Sequence, residues 1–184
     1  MEIEMESRTS RLCFGAASTS FHLALTSQDE TLRIHHSVTG IVFTAFAFEA
    51  MMNHYGRKAL ANWNTIERKG SRLENYAKVL EELRIPNVKD SPQYLTMLEC
   101  NSLRDKIAHG KTTDDVVRST INPDSLSRHD LVRAVLSEPS SLEREFTPAR
   151  LSTFIDALTE LEDLIEQQSG IGEFPLHNTG IVSW

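Results

Sequence analysis

The chain has almost no cysteine: Cys13 and Cys100 are its two thiols in 184 residues. Two thiols so widely spaced supply neither a disulfide framework nor the ligand pairs of a zinc cluster, so both are expected packed inside, in a reducing, cytoplasmic setting. Long apolar runs are missing too. The most apolar stretch, Gly40–Met52, is shorter than the roughly 20 residues of a bilayer span, and it carries Glu49. It reads as a buried helix, and no membrane partner is expected. Met1–Ser10 is acidic and lacks a basic start followed by an apolar run, so no secretory leader is expected either. Absent as well are a glycine-rich phosphate loop ending in Gly-Lys-Ser/Thr and a Gly-x-Ser-x-Gly elbow, two frequent signatures of nucleotide and acyl-transfer chemistry. No run alternates strictly enough to be a strand.

What is present is a helical pattern over nearly the whole length. Composition is that of an ordinary globular protein, 40% apolar and 24% charged. A first helix is expected over about 8–26, with Leu12, Ala16, Phe21 and Leu25 facing inward. Ser27 and Glu30 have the spacing of a capping box opening a long second helix to about 55–58, in which Gly40 marks a close crossing or a bend. Ser71 and Glu74 form another capping box, followed by a stripe of Leu73, Tyr76, Ala77, Leu80 and Leu83 that Pro86 ends. Ser91-Pro92 starts the next helix, carrying Leu95, Leu98 and Cys100, which Gly110 stops. Between 111 and 146 the pattern weakens: a loop at 112–115, a short helix at 126–136 and a connector at 137–141. Thr147-Pro148 then caps a strong final helix to about 168, whose Leu151, Phe154, Ile155, Leu158, Leu161 and Ile165 recur every three or four residues. The tail, 169–184, is irregular, with Phe174, Ile181 and Trp184 expected to dock. The fold class is therefore all-α, an antiparallel bundle of five to six helices in one domain spanning 1–184, with its core at about 8–168.

The net charge of −7 argues mildly against a general nucleic-acid coat, but it is unevenly spread. Residues 138–184 hold nine acids and two bases, which accounts for all of it, while 1–137 is neutral. Within the neutral part, Arg57, Lys58, Arg68, Lys69, Arg72 and Lys78 crowd one region. That flank reads first as a solvated surface and second as a guide for a polyanion. Histidines give no metal site: His35 and His36 point about 100° apart on a helix, and His22, His54, His129 and His177 have no acid or thiol at a ligand spacing. No metal or cofactor is expected.

One run stands apart. Arg104-Asp105-Lys106-Ile107-Ala108-His109 gathers a guanidinium and an imidazole at a helix end. Guanidinium grips phosphate oxygens with two parallel donors, and imidazole exchanges a proton near neutral pH. The same residues also read as a solvated last turn with its cations against the helix dipole. On an ideal helix, positions five apart lie about 140° apart, so the pair converges only if the helix unwinds or a second subunit completes the site.

The run Asn101-Ser-Leu-Arg-Asp-Lys-Ile-Ala-His-Gly110 resembles the signature of the HEPN superfamily, helical proteins defined by Arg, four to six residues, then His. Asp105 fits that family's preference for Asn, Asp or His after the arginine. Ala47–Asn53 is similar to its earlier helix, whose acid approaches the motif arginine. The resemblance covers about 30–112 and, loosely, the closing helix. It implies a homodimer with two motifs facing one cleft, and a metal-independent endoribonuclease of toxin or defence type acting on RNA, held in check by an antitoxin or defence-system partner. It also implies roles: His109 as general acid/base, Arg104 on the phosphate, Asp105 orienting the motif, Glu49 holding Arg104, and Lys106 and Lys111 on flanking phosphates. Lys111 stands where members silenced by adenylylation carry tyrosine, so that regulation is not expected. Other members are non-catalytic dimerisation, adaptor or nucleotide-binding modules, and that alternative stays open.

Overall fold

A computed structural model describes residues 8–109, 127 and 140–177. Among these residues there are six α-helices and no strand: α1 (Thr9–Thr26), α2 (Glu30–Ala59), α3 (Trp63–Lys69), α4 (Arg72–Glu82), α5 (Pro92–Ala108) and α6 (Pro148–Ser169). A 3₁₀ turn, Pro86–Asp90, links α4 to α5. The protein is an all-α helical bundle, and no helix among the described residues is long and apolar enough to cross a membrane.

Local chemistry sets most boundaries. Ser71 accepts from the Glu74 amide while Glu74 reaches back to the Ser71 amide, a complete capping box. Ser91 and Thr147 accept from the amides of Tyr94 and Arg150, each with proline at the first helical position. At α2 the expected Ser27 box is replaced. Asp29 caps that helix by accepting from the Leu32 amide at 3.0 Å, and Ser27 ends α1 instead. A carboxylate directly before the first turn outcompetes a hydroxyl two residues earlier, since it also suits the helix dipole.

The core is built around α2. Phe48, Met51, Met52 and Tyr55 pack with Tyr76, Val79 and Leu80 of α4, Met97, Cys100 and Leu103 of α5, and Leu151, Phe154, Leu158, Leu161 and Ile165 of α6. Phe48 meets Tyr76 edge-on at 5.3 Å between ring centres. Gly40 is a close crossing: an added Cβ would lie 2.3 Å from Leu151 Cδ2, and Leu151 is fully buried. Gly40→Ala is therefore expected to destabilise by about 1–2 kcal/mol, because overpacking outweighs the roughly 1 kcal/mol that alanine gains in helix propensity. Urea denaturation checks this, and a gain in stability would contradict the tight crossing.

Several expected faces turn out differently. The inward side of α1 consists of Ser10, Ala17, Ser20 and Ala24, whereas Leu12 and Leu25 are exposed. Small side chains let α1 lie close along α2, and that closeness turns the leucines outward. Leu73 and Leu95 also point outward. The segment after α2 contains α3, unanticipated in sequence, whose Trp63 ring fills the notch left by Gly56. Cys100 is buried as expected, but Cys13 is only partly covered.

The segment after α6 is strapped down by two acids rather than by its aromatics. Glu166 is buried and accepts from the amides of Gly172, Glu173 and Phe174 and from the Tyr55 hydroxyl. Glu162, also buried, accepts from the Leu176 amide at 2.6 Å and pairs with His177 Nδ1 at 2.6 Å. Pro175 and Leu176 dock, while Phe174 stays partly exposed. Most of 111–141, including the loop, short helix and connector expected there, lies outside the described residues, as do Ile181 and Trp184.

Candidate functional site

α5 carries the motif. Cys100 and Leu103 anchor its inner face, which leaves Arg104 and Asp105 at the rim. The Arg104 guanidinium is largely covered, with 14% of the side chain exposed. Its Nη2 donates to Glu49 Oε2 at 2.7 Å and its Nη1 lies 2.9 Å from Asp105 Oδ1. The guanidinium carbon stands 5.3 Å from the centre of the Phe46 ring, a cation–π contact. Phe46 and Glu49, three apart on α2, share a helix face, so one face of α2 supplies both the apolar floor and the counter-ion.

A fourth member closes the cluster. Arg72, the first residue of α4, donates through Nη2 to Asp105 Oδ2, and its Nη1 lies 3.8 Å from Glu49 Oε2. Two arginines and two carboxylates thus alternate in a charge-neutral quartet. Asp105 touches the motif arginine directly and is also held by a second arginine, Arg72, which sequence reasoning placed only in the basic flank. Behind the quartet sits the Tyr76 hydroxyl, pushed up by burial and by the Glu49 charge, so it stays protonated.

His109 caps α5. Its amide donates to the Asp105 carbonyl at 3.0 Å, and its side chain is exposed. The helix runs unbroken through Ala108, so the two side chains leave α5 in directions about 140° apart. Within one chain, Arg104 and His109 share no hydrogen bond or ion pair among the described residues. Lys106 lines a cavity of about 400 Å³ with Arg72, Leu98, Asn101 and Asp105. Gly110, Lys111 and His129 lie outside the described residues.

Other chemistry is not assembled nearby. Cys100 is fully buried, its thiol donates to the Ile41 carbonyl at 3.6 Å, and burial raises its pKa, so it is no nucleophile. Among the described residues no three His, Cys, Asp or Glu side chains gather as metal ligands. His54 and His177, unassigned from sequence, pair with Glu173 and Glu162.

Comparison with protein-family models, with curated proteins and with solved structures finds no match.

Proposed function

We propose that this chain is a metal-independent endoribonuclease of the HEPN type, acting in the cytoplasm as a homodimer. The observation that carries the reading is the Glu49–Arg104 pair at 2.7 Å, which fixes the largely covered motif guanidinium at the rim of α5 while His109 stands exposed at the helix end. Since the two groups diverge within one chain, the working site needs a second copy whose motif faces the first. In that cleft one imidazole takes the proton of a ribose 2′-OH, and the freed oxygen forms a bond to the adjacent phosphorus. The P–O5′ bond breaks, and the leaving oxygen takes a proton from the second imidazolium. Arg104 steadies the charge that builds on the phosphorus oxygens. Lys106, beside Asp105 on the rim of α5, suits contact with a flanking phosphate, and the resemblance gives Lys111 the same role. The products are a 2′,3′-cyclic phosphate and a 5′-OH. Such an activity is harmful when unrestrained, which fits a toxin or defence effector with an antitoxin or defence-system partner.

The test is cleavage of total RNA by the full chain in EDTA, with the 3′ ends of the products analysed. Cyclic phosphate ends support the reading, and intact RNA or 3′-OH ends overturn it.

A second reading rests on the quartet itself. Both terminal nitrogens of Arg104 already face carboxylates, and Arg72 neutralises the surplus. A motif so compensated suits a non-catalytic dimerisation, adaptor or nucleotide-binding module. Dimers that leave RNA intact favour this version.

A further inference from the structure

The cavity of about 400 Å³ beside Lys106 lies between the first turn of α4 and one side of α5. Its volume is that of a small-molecule site, roughly 300–1,000 Å³. Two kinds of wall meet in it. Leu73 of α4 and Leu98 of α5 supply apolar surface, one from each helix, and Leu73 is left exposed. Asn101, Ser102 and Lys106 supply polar groups.

Asn101 is the unusual member. It is 6% exposed, its carbonyl oxygen is enclosed, and its amide makes no hydrogen bond among the described residues. An enclosed amide without a partner costs stability, and a leucine of similar size would pack there at less cost. The last side-chain bond of asparagine has two broad orientations, so either its oxygen or its nitrogen can turn to the cavity. A second group is also spare. Arg72 Nη1 lies 3.8 Å from Glu49 and makes no hydrogen bond among the described residues. Lys106 has no ion pair among them either. Asp105 lines the cavity too, but its oxygens already face Arg72 and Arg104, so its charge is compensated.

The cavity lies on the side of α5 that leads to His109. Leu98, Ser102, Asp105 and His109 follow one another at four, three and four residues, which places them on one stripe of the helix. The His109 amide still bonds to the Asp105 carbonyl at 3.0 Å, so the stripe runs true to its end. His109 therefore stands one turn, about 5.4 Å of helix rise, beyond the cavity wall. Arg104 leaves α5 on the other side.

We propose that this cavity holds one base of the RNA, between Leu73 and Leu98, with the Asn101 amide reading its edge. Single-stranded RNA is recognised in this way, by a splayed base packed on side chains and bonded along its edge. An asparagine amide sets a donor beside an acceptor, the complement of the adenine edge. Lys106 then meets the phosphate of the same nucleotide, on the His109 side. The place of this base next to a scissile phosphate rests on the ribonuclease reading; the capacity of the cavity to select a base does not.

The test is calorimetric titration of the full chain, in lithium chloride buffer, with four 2′-O-methyl tetranucleotides, each built from one base. The methyl group blocks cleavage. The adenine tetranucleotide is expected to bind about 5–100-fold more tightly than the weakest of the four. Asn101→Leu is expected to bring all four within about twofold of one another, with an equal or higher melting temperature, because it removes the orphan amide. Lys106→Gln is expected to weaken all four alike, by about 3–10-fold. A preference for another base that Asn101→Leu erases also supports the pocket. Equal binding of the four by the natural chain, a preference that survives Asn101→Leu, loss of all binding in that variant, or no binding below about 10 mM overturns it. Base-selective binding by a chain that leaves RNA intact overturns the ribonuclease reading and keeps the pocket, whereas RNA cleavage with base-blind binding does the reverse.

Discussion

Replacing His109 by alanine is expected to lower RNA cleavage by about 10²–10⁴-fold, the usual worth of a positioned general acid or base, with the melting temperature unmoved. The asymmetry follows from placement. The imidazole is exposed past the last turn of α5 and makes no side-chain hydrogen bond among the described residues, so its loss is expected to cost stability within about 0.5 kcal/mol. Arg104→Ala should behave differently. It abolishes cleavage and also destabilises, by about 1–2 kcal/mol, because it strands Glu49 and uncovers Phe46; partial solvent exposure of both carboxylates keeps the cost below that of a fully buried pair. Cleavage rates, thermal melts and dimer mass by light scattering separate these outcomes. If both variants cut RNA as the natural chain does, the activity belongs to a contaminant and the motif is structural. If both lose activity only by losing the dimer, the motif is an interface rather than an acid–base pair.

How far the sequence revealed this arrangement depends on whether a signal is local. Ser71 with Glu74, Ser91-Pro92 and Thr147-Pro148 act within one turn of themselves, and each starts its helix where expected. The repeat along α6 was legible because large apolar residues at three- and four-residue spacing have one face to bury. α1 misled because its contact with α2 uses serine and alanine; small residues carry little hydropathy, yet only they allow such close approach. α3 has seven residues and depends on a notch at Gly56, a contact that no window along the chain can register. The Glu49–Arg104 pair, bridging 55 positions, was expected from the resemblance of both segments to one family. Arg72 was missed because nothing in its own neighbourhood says that α4 will dock against Asp105. The buried acids had a readable signal: Glu162 and Glu166 follow Leu158 at four-residue steps, inside the apolar stripe rather than opposite it.

Those two acids carry the largest expected effect on stability. The Glu166 carboxylate takes four donors: the Tyr55 hydroxyl at 2.7 Å and the amides of Gly172, Glu173 and Phe174 at 2.5, 3.2 and 3.1 Å. Burial, and then the bond to Glu166, push the Tyr55 phenol far above its ordinary range, so it remains a donor throughout. Glu166→Ala leaves that buried hydroxyl and the strap amides without an acceptor, and is expected to cost about 3–5 kcal/mol, a large part of a typical domain's 5–15 kcal/mol. Glu166→Gln keeps one acceptor but turns an amide donor toward other donors, at about 1–3 kcal/mol, whereas Tyr55→Phe removes one bond, at about 1–2 kcal/mol. Glu162 adds a pH dependence of definite sign. Burial raises its folded-state pKa despite the Leu176 amide and His177. The unfolded chain therefore loses this proton first, and the contribution present below the unfolded value of about 4.3 is lost as pH rises through the folded one. Glu162→Gln should flatten that decline in urea midpoints measured across acidic to neutral pH. A Glu166→Ala chain as stable as the natural one would mean that the strap is held without Glu166, by the Glu162 bonds to Leu176 and His177, the docked Pro175 and Leu176, and the ion pairs of Glu173 with Arg8, His54 and Lys58.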